Sequence, residues 1–90
     1  MFRELEPGIA ASTDGFTVID RGTKTRYIEN DHEVVFPCSI GPTRWIVHLR
    51  EVRWSSPYSD EPISSERKAE IQRRVMEAQR FLKSFVEFDV

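Results

Sequence analysis

Few residues of this chain have types and spacings that could carry out chemistry. The two histidines, His32 and His48, and the single cysteine, Cys38, are isolated from one another in the sequence. A zinc site needs clustered ligands such as Cys-x-x-Cys or His-Glu-x-x-His, and neither motif occurs. His32 borders a turn, His48 lies within a strand pattern and Cys38 ends an apolar segment. These settings are typical of structural residues, so no metal site is predicted.

The serines before the helix also lack the surroundings of a nucleophile. No Gly-x-Ser-x-Gly elbow encloses any of them. The four glycines of the chain form neither a phosphate-binding loop nor a dinucleotide-binding motif. We therefore predict a non-enzymatic protein with no catalytic residue and no cofactor. The serines concerned are Ser55, Ser56, Ser59, Ser64 and Ser65.

The first half of the sequence predicts strands. Short apolar segments alternate with the turn signals TDG (13–15), RG (21–22) and ND (30–31), a spacing that favours an antiparallel meander. RWIVHL (44–49) predicts the strongest strand. Its alternation slips between Leu49 and Trp54, which predicts a bulge or one helical turn at residues 50–53.

The second half predicts one helix. Ser64 is the expected N-cap and Glu66 lies in the first turn, where the helix dipole favours an acid. The apolar residues that follow recur every three or four positions, which places them on one helical face. The helix is predicted over 64–84, and the alternation in FVEFDV predicts a final strand over 85–90. The apolar face contains Ile71, Val75, Ala78, Leu82 and Phe85.

Together these elements predict an α+β domain. A length of 90 residues favours a single domain over 1–90. We expect an antiparallel sheet of about five strands within 8–54, a connecting loop over 55–63, one long C-terminal helix packed on one face of the sheet, and the short final strand.

Composition restricts the compartment and the partners. The chain is 39% hydrophobic and 31% charged, with a net charge of -2. No apolar run approaches the ~20 residues of a membrane span, and the first ten residues have no signal-peptide pattern. A single cysteine allows no internal disulfide. We expect a cytoplasmic protein, a monomer or a homodimer, that does not contact a membrane.

Two acidic segments are the candidate partner-binding residues. Glu29, Asp31 and Glu33 lie at a predicted hairpin tip, and Asp60 and Glu61 lie in the loop before the helix. Carboxylates on a rigid scaffold attract a cationic protein and steer its approach. For any one of these acids, simple solubility is the competing interpretation.

The segment 44–54 favours an alternative function. Arg44, Arg50 and Arg53 are interleaved there with Trp45 and Trp54. Aromatic platforms flanked by arginines bind single-stranded nucleic acid. The acidic net charge opposes affinity for phosphate, so nucleic acid is the less favoured partner.

Spaced aromatic, acidic and proline positions over residues 27–90 carry a family resemblance. A tyrosine precedes an acidic turn and a strand, a tryptophan precedes a proline and an acidic stretch, and Ser…Arg…Ile opens a helix that ends in Phe-Leu. This pattern resembles a family of bacterial immunity proteins, immunity protein 74. The resemblance implies a protein that binds and neutralises a cognate toxin of a polymorphic toxin system, and it assigns no catalytic residue. The segments concerned are YIENDHEVVF, RWIVHL, VRW, SSP, SDEPISSER, AEIQRRVMEAQRFL and FVEFDV.

Overall fold

The structure is a computed structural model that describes residues Met1–Val90. Its seven strands form one curled sheet, a half-barrel, whose spatial order follows the sequence. One α-helix follows the sixth strand, and it is not long and apolar enough to cross a membrane. The elements are β1 (Phe2–Glu6), β2 (Ile9–Ser12), β3 (Phe16–Arg21), β4 (Lys24–Glu29), β5 (His32–Ile40), β6 (Trp45–His48), α1 (Ser65–Phe81) and β7 (Val86–Asp89).

The predicted antiparallel sheet of about five strands is wrong in both strand number and direction. Strands β1 to β6 pair antiparallel, each with the next, but β7 runs parallel to β6. The chain passes through α1 between β6 and β7, and a parallel pair requires a long crossover of this kind. Residues 2–6, which lie outside the predicted sheet, form the edge strand β1.

The turn between β1 and β2 depends on Gly8. Its φ is +85°, in the left-handed region, and a Cβ atom there would lie 2.7 Å from the carbonyl oxygen of Asp20. Only glycine combines this backbone angle with so close an approach. The turn thereby brings the charged residues of β1 to the edge of the sheet.

Helix α1 supplies one side of the core. Ile71, Val75 and Ala78 are fully buried and pack against inward-facing residues of the strands. Ser64 is the N-cap, as predicted, since its hydroxyl accepts a hydrogen bond from the Arg67 amide at 3.1 Å. The helix begins at Ser65 and ends at Phe81, so it is shorter than the predicted 64–84.

The segment after β6 covers one end of the inner face. Strand β6 ends at His48, and neither the expected bulge nor a helical turn occurs at 50–53. The chain leaves the sheet there in an irregular conformation that still buries Leu49, Val52 and Trp54. The slip in the alternation therefore marks the end of a strand.

Two buried polar side chains link α1 to β4. Gln79 and Thr25 are fully buried, and the Gln79 amide donates a hydrogen bond to Oγ1 of Thr25 at 3.1 Å. The side-chain carbonyl oxygen of Gln79, Oε1, has no partner. An unpaired buried polar atom costs about 1–3 kcal/mol, so this contact offsets only part of the burial cost.

The pair gives a test by double substitution. Thr25→Val removes the acceptor of the Gln79 amide, and we expect the free energy of unfolding to fall by about 1–3 kcal/mol. Adding Gln79→Met removes the remaining buried polar group and should restore most of that loss. Urea denaturation measures both values. Equal stability of Thr25→Val and wild type would show that the contact contributes nothing.

Candidate functional site

The β4–β5 turn and the segment after Trp54 meet at His32. The imidazole ring stacks on Tyr58, with centroids 3.8 Å apart, and meets Trp54 edge-on at 4.9 Å. Its Nδ1 lies 2.9 Å from Oδ1 of Asp31, and its Nε2 lies 3.1 Å from both carboxylate oxygens of Glu61. His32 thus joins two acidic segments that are far apart in the sequence.

The surroundings of His32 favour its protonated form. An ionised carboxylate only accepts hydrogen bonds, and each ring nitrogen lies within hydrogen-bond distance of one. Burial lowers the pKa of His32, but hydrogen bonds to Glu61 and Asp31 outweigh it and raise the pKa above its ordinary value. Hydrogen bonds from Tyr58 and His32 lower the pKa of Asp31.

Three exposed carboxylates lie on the two segments that this stack joins, and we name them the acidic patch: Asp31, Asp60 and Glu61. Asp60 and Glu61 also line a groove with Arg50, Arg53 and Lys68. The side chains of Asp31 and Glu61 are 68% and 51% exposed, respectively. Asp60 is exposed, and its carboxylate has no hydrogen-bond or ion-pair partner within the chain. The stack of His32 on Tyr58 packs the β4–β5 turn against the loop that carries Asp60 and Glu61.

The other two predicted partner-binding acids lie in internal ion pairs. Glu33 pairs with Arg26 on the neighbouring strand. The Glu29 carboxylate binds Arg67, lies 3.1 Å from Nη1 of Arg74 and accepts a hydrogen bond from the Tyr27 hydroxyl at 2.7 Å. Glu29 therefore anchors α1 to the sheet, and the structure brings only Asp31, of the hairpin set, together with the loop acids.

Glu29 and its partners Tyr27, Arg67 and Arg74, the Glu29 network, are partly buried, and this burial shifts their pKa values. Burial raises the pKa of Glu29, but hydrogen bonds from Arg67 and Tyr27 and the charges of Arg67 and Arg74 outweigh it and lower the pKa. Burial, and then the hydrogen bond to Glu29, raise the pKa of Tyr27 to about 12. At neutral pH these shifts keep the Glu29 carboxylate ionised and the Tyr27 phenol protonated.

The three arginines of the alternative interpretation do not share one surface. Arg50 and Arg53 line a groove of about 500 Å³, whereas Arg44 lies near Glu87 (3.8 Å) and over the ring of Phe85 (5.8 Å). Trp54, the second aromatic platform proposed for stacking, is 7% exposed and belongs to the core.

The groove itself carries balanced charge. Arg50 and Arg53 face Glu51 and Asp89, which line the same space. The guanidinium Nε of Arg50 donates to Asp89 at 3.0 Å. A phosphate would meet as many carboxylates as guanidinium groups, so the lining gives no net attraction for an anion.

A chain of three hydrogen-bonded side chains crosses the outer face of the sheet. The Ser39 hydroxyl lies 2.8 Å from Nε2 of His48, and Nδ1 of His48 lies 3.1 Å from Oδ2 of Asp89. Hydrogen bonds from His48 and Arg50 lower the pKa of Asp89. Sequence spacing missed this arrangement, because the three residues come from β5, β6 and β7 and no local motif links them.

The order of groups in this chain is that of a nucleophile, a base and an orienting acid. Acyl transfer also needs donors aimed at the developing oxyanion. Ser39 lies opposite Ile46 within the β5–β6 ladder, where backbone amides bond the neighbouring strand. Ser39 does not line the 500 Å³ groove either. We therefore assign the chain of side chains to holding β7 against β6 and β5.

Cys38 is placed as a packing residue. Burial raises the pKa of its thiol, and the sulfur lies 3.4 Å from the Thr25 hydroxyl. No group of three or more histidine, cysteine, aspartate or glutamate residues has a geometry that could hold a metal ion.

Comparisons of the chain with protein-family models, with curated proteins and with solved structures found no match.

The Glu29 network predicts acid sensitivity. The pKa of Glu29 is lower in the folded state than its ordinary value of about 4.5. The ionised Glu29 carboxylate therefore contributes its full stabilisation above that value, and this contribution is lost as the pH falls through the lowered pKa. Glu29→Gln should reduce the free energy of unfolding at pH 7 by about 1–3 kcal/mol and flatten this acid limb. Urea denaturation across pH measures both effects.

The matched control for that experiment is Glu77→Gln. Glu77 lies 3.6 Å from Arg73 in an exposed helical pair, and such pairs contribute about 0.3–0.5 kcal/mol. A loss at Glu29 no larger than at Glu77 would contradict the anchoring role.

His32 predicts the opposite pH dependence. Its pKa is raised, so its contribution to stability is complete below about pH 6.5 and is lost as the pH rises through the raised pKa. NMR titration of the imidazole should give a value above the ordinary one. Glu61→Gln should bring the measured pKa back toward it. An unchanged pKa in that variant would show that Glu61 does not bind the ring.

Proposed function

We propose that this protein is a non-enzymatic binding protein of the immunity type, which neutralises a cognate bacterial toxin by occupying a cationic surface of it. The observation that carries the proposal is the junction at His32. It joins the β4–β5 turn to the loop before α1 through Asp31 and Glu61, and Asp60 is the residue next to Glu61 in that loop.

Contacts that order the acidic patch before binding favour association. Partners that are already ordered lose less conformational entropy when they associate. Here the stack of His32 on Tyr58 and a backbone hydrogen bond from the Ser55 amide to the Glu33 carbonyl, 2.7 Å long, hold the loop. Both contacts reduce the conformational freedom of the loop that carries Asp60 and Glu61.

Charge favours a basic partner. His32 offsets part of the charge of Asp31 and Glu61. Arg50, Arg53 and Lys68 line the same groove as Asp60 and Glu61, but the exposed Asp60 carboxylate has no ion-pair partner. Long-range attraction between complementary surfaces accelerates association more than it strengthens the final complex. The toxin surface expected here is rich in lysine and arginine.

The resemblance of residues 27–90 is the reason for proposing the immunity type, and it leaves the identity of the toxin open. Four of the positions that carry it have structural roles. Tyr27 and Arg67 both bind Glu29, Trp54 packs against His32, and Ser64 caps α1.

The experiment is a titration of the purified protein with an inactivated form of the toxin-like domain encoded beside its gene. We expect a tight one-to-one complex by calorimetry. Binding of a single-stranded oligonucleotide with strong salt dependence, and none of the toxin-like domain, would favour the nucleic-acid alternative instead.

Charge reversal tests the acidic patch within that complex. Asp60→Lys should leave the fold unchanged and lower the association rate constant by about ten-fold at low salt, with a smaller effect at high salt. The matched control is Asp14→Lys, an exposed and unpaired acid in the β2–β3 turn. Stopped-flow kinetics measures both variants, and equal rates for the two would remove the acidic patch from the interface.

A further inference from the structure

The edge of β5 that faces β6 has an unpaired stretch. In an antiparallel ladder, residues that exchange hydrogen bonds with the neighbouring strand alternate with residues that do not. The Cys38 amide donates to the carbonyl oxygen of Thr23, just before β4, at 2.9 Å. Every second residue back along β5 from Cys38 bonds β4 in the same way, and Val35, opposite Arg26, falls between two of these. The N–H and C=O groups of Val35 therefore point away from β4.

No strand pairs with Val35 on that side. Strand β6 pairs only with Cys38–Ile40 of β5. Beyond His48 the chain leaves the sheet, and it touches β5 again at Ser55, whose amide donates to the Glu33 carbonyl at 2.7 Å. Val35 lies between these two contacts, and the segment beside it makes no backbone hydrogen bond with it. One donor and one acceptor of the sheet thus lack a backbone partner.

The segment 50–54, which replaces a strand beside Val35, is also unpaired. None of its backbone amides donates to a backbone carbonyl. Val35 and Pro37 line the groove of about 500 Å³ on one side, and residues of this segment line it on the other. Unpaired main chain at a sheet edge is the feature that β-strand addition uses to bind an extended peptide. The groove therefore has the backbone groups that such a peptide needs.

The lining of the groove identifies the kind of occupant. Arg50 and Arg53 are balanced by Glu51 and Asp89, so the groove favours a ligand without net charge. A peptide backbone is neutral, and each residue of it carries one donor and one acceptor. A single residue of an antiparallel strand therefore exchanges both hydrogen bonds with Val35.

The side chain of that residue can also be assigned. Val34 and Phe36 are buried in the core, so Val35 between them points to the outer face. Directly paired residues have their side chains on the same face of a sheet, which places the new side chain beside Val35 and Pro37. β-Branched apolar side chains pack well on such a pleated, half-buried surface. The residue that fits is valine or isoleucine.

We propose that this groove binds an extended, uncharged segment of a partner protein, which pairs antiparallel with β5 at Val35 and places a valine or isoleucine beside Val35 and Pro37. A second copy of the chain is a poorer occupant, because its edge strands β1 and β7 carry the charged sequences FRELE and VEFD. The contact uses the main chain of β5 and none of the carboxylates of the acidic patch. It is therefore a further binding activity, independent of the proposed toxin interface.

Selection from a phage-displayed library of random twelve-residue peptides tests the proposal. Wild-type protein is the target, and Val35→Pro is used for counter-selection. Proline removes the amide donor of Val35 without removing a hydrogen bond to β4, and Pro37 shows that β5 accepts proline in the same orientation. We expect enriched peptides to share a valine or isoleucine with uncharged neighbours. They should bind Val35→Pro about ten-fold more weakly by fluorescence anisotropy.

The matched control is Val35→Thr, which keeps the amide and the β-branched shape and should bind the peptides as the wild type does. Two further readouts use the wild-type protein alone. Methylation of the peptide nitrogen at the shared valine or isoleucine removes the donor to the Val35 carbonyl and should weaken binding about ten-fold. By NMR, the Val35 amide should exchange rapidly with solvent in the unbound protein and slowly when the peptide is bound.

Several results would overturn the proposal. They are absence of enrichment, a charged consensus, equal binding of wild type and Val35→Pro, no effect of peptide methylation, or a Val35 amide that is already protected in the unbound protein. A wild-type dimer in sedimentation that Val35→Pro lacks would also overturn it, and would assign the groove to a second copy. None of these results alters the calorimetric titration with the toxin-like domain, so failure here is distinguishable from failure of the proposed function.

Discussion

A single helix has to cover the inner face of a seven-stranded sheet, and this constraint shapes the rest of the molecule. The 17 residues of α1 span about 25 Å at 1.5 Å per residue, whereas the longest dimension of the fold is 36 Å. Only part of the apolar face can lie beneath the helix. The Glu29 contacts with Arg67 and Arg74 fix where that part is. The irregular segment after β6 covers the face at the end near the β4–β5 turn, and the opposite end stays open.

The two ends of the sheet differ because of this incomplete cover. At one end Trp54 and Tyr58 fold over the core, and the loop that brings them there also brings Glu61 to the His32 ring. At the other end no segment is left to fold over Ile40 and Trp45. Because α1 covers only part of the sheet, a polar loop covers one end of it, and apolar side chains stay exposed at the other end.

Local patterns in the sequence predicted the local structure. They could not predict which residues distant in the sequence contact one another. The helical spacing of Ile71, Val75 and Ala78 and the cap at Ser64 could be predicted, because both act within a few residues. The charged edge strand β1 was missed, since an edge strand need not show an alternating apolar face. The direction of β7 depends on its neighbour and not on its own residues. For the site, turn signals placed Asp31 and Asp60 in loops, but nothing in the sequence joined those loops through His32 or paired Glu29 and Glu33 with arginines.

The parallel pairing of β7 with β6 also has a consequence for how the chain folds. Strands β1 to β6 each meet a sequence neighbour, so their contacts close short loops and form quickly. His48 and Asp89 are 41 residues apart, and the β6–β7 contacts close a much longer loop at a greater entropic cost. During synthesis the edge of β6 stays unpaired until the helix and β7 have followed. In that interval the meander presents an open strand edge, so the fold is most vulnerable to pairing with another chain just before its last strand docks.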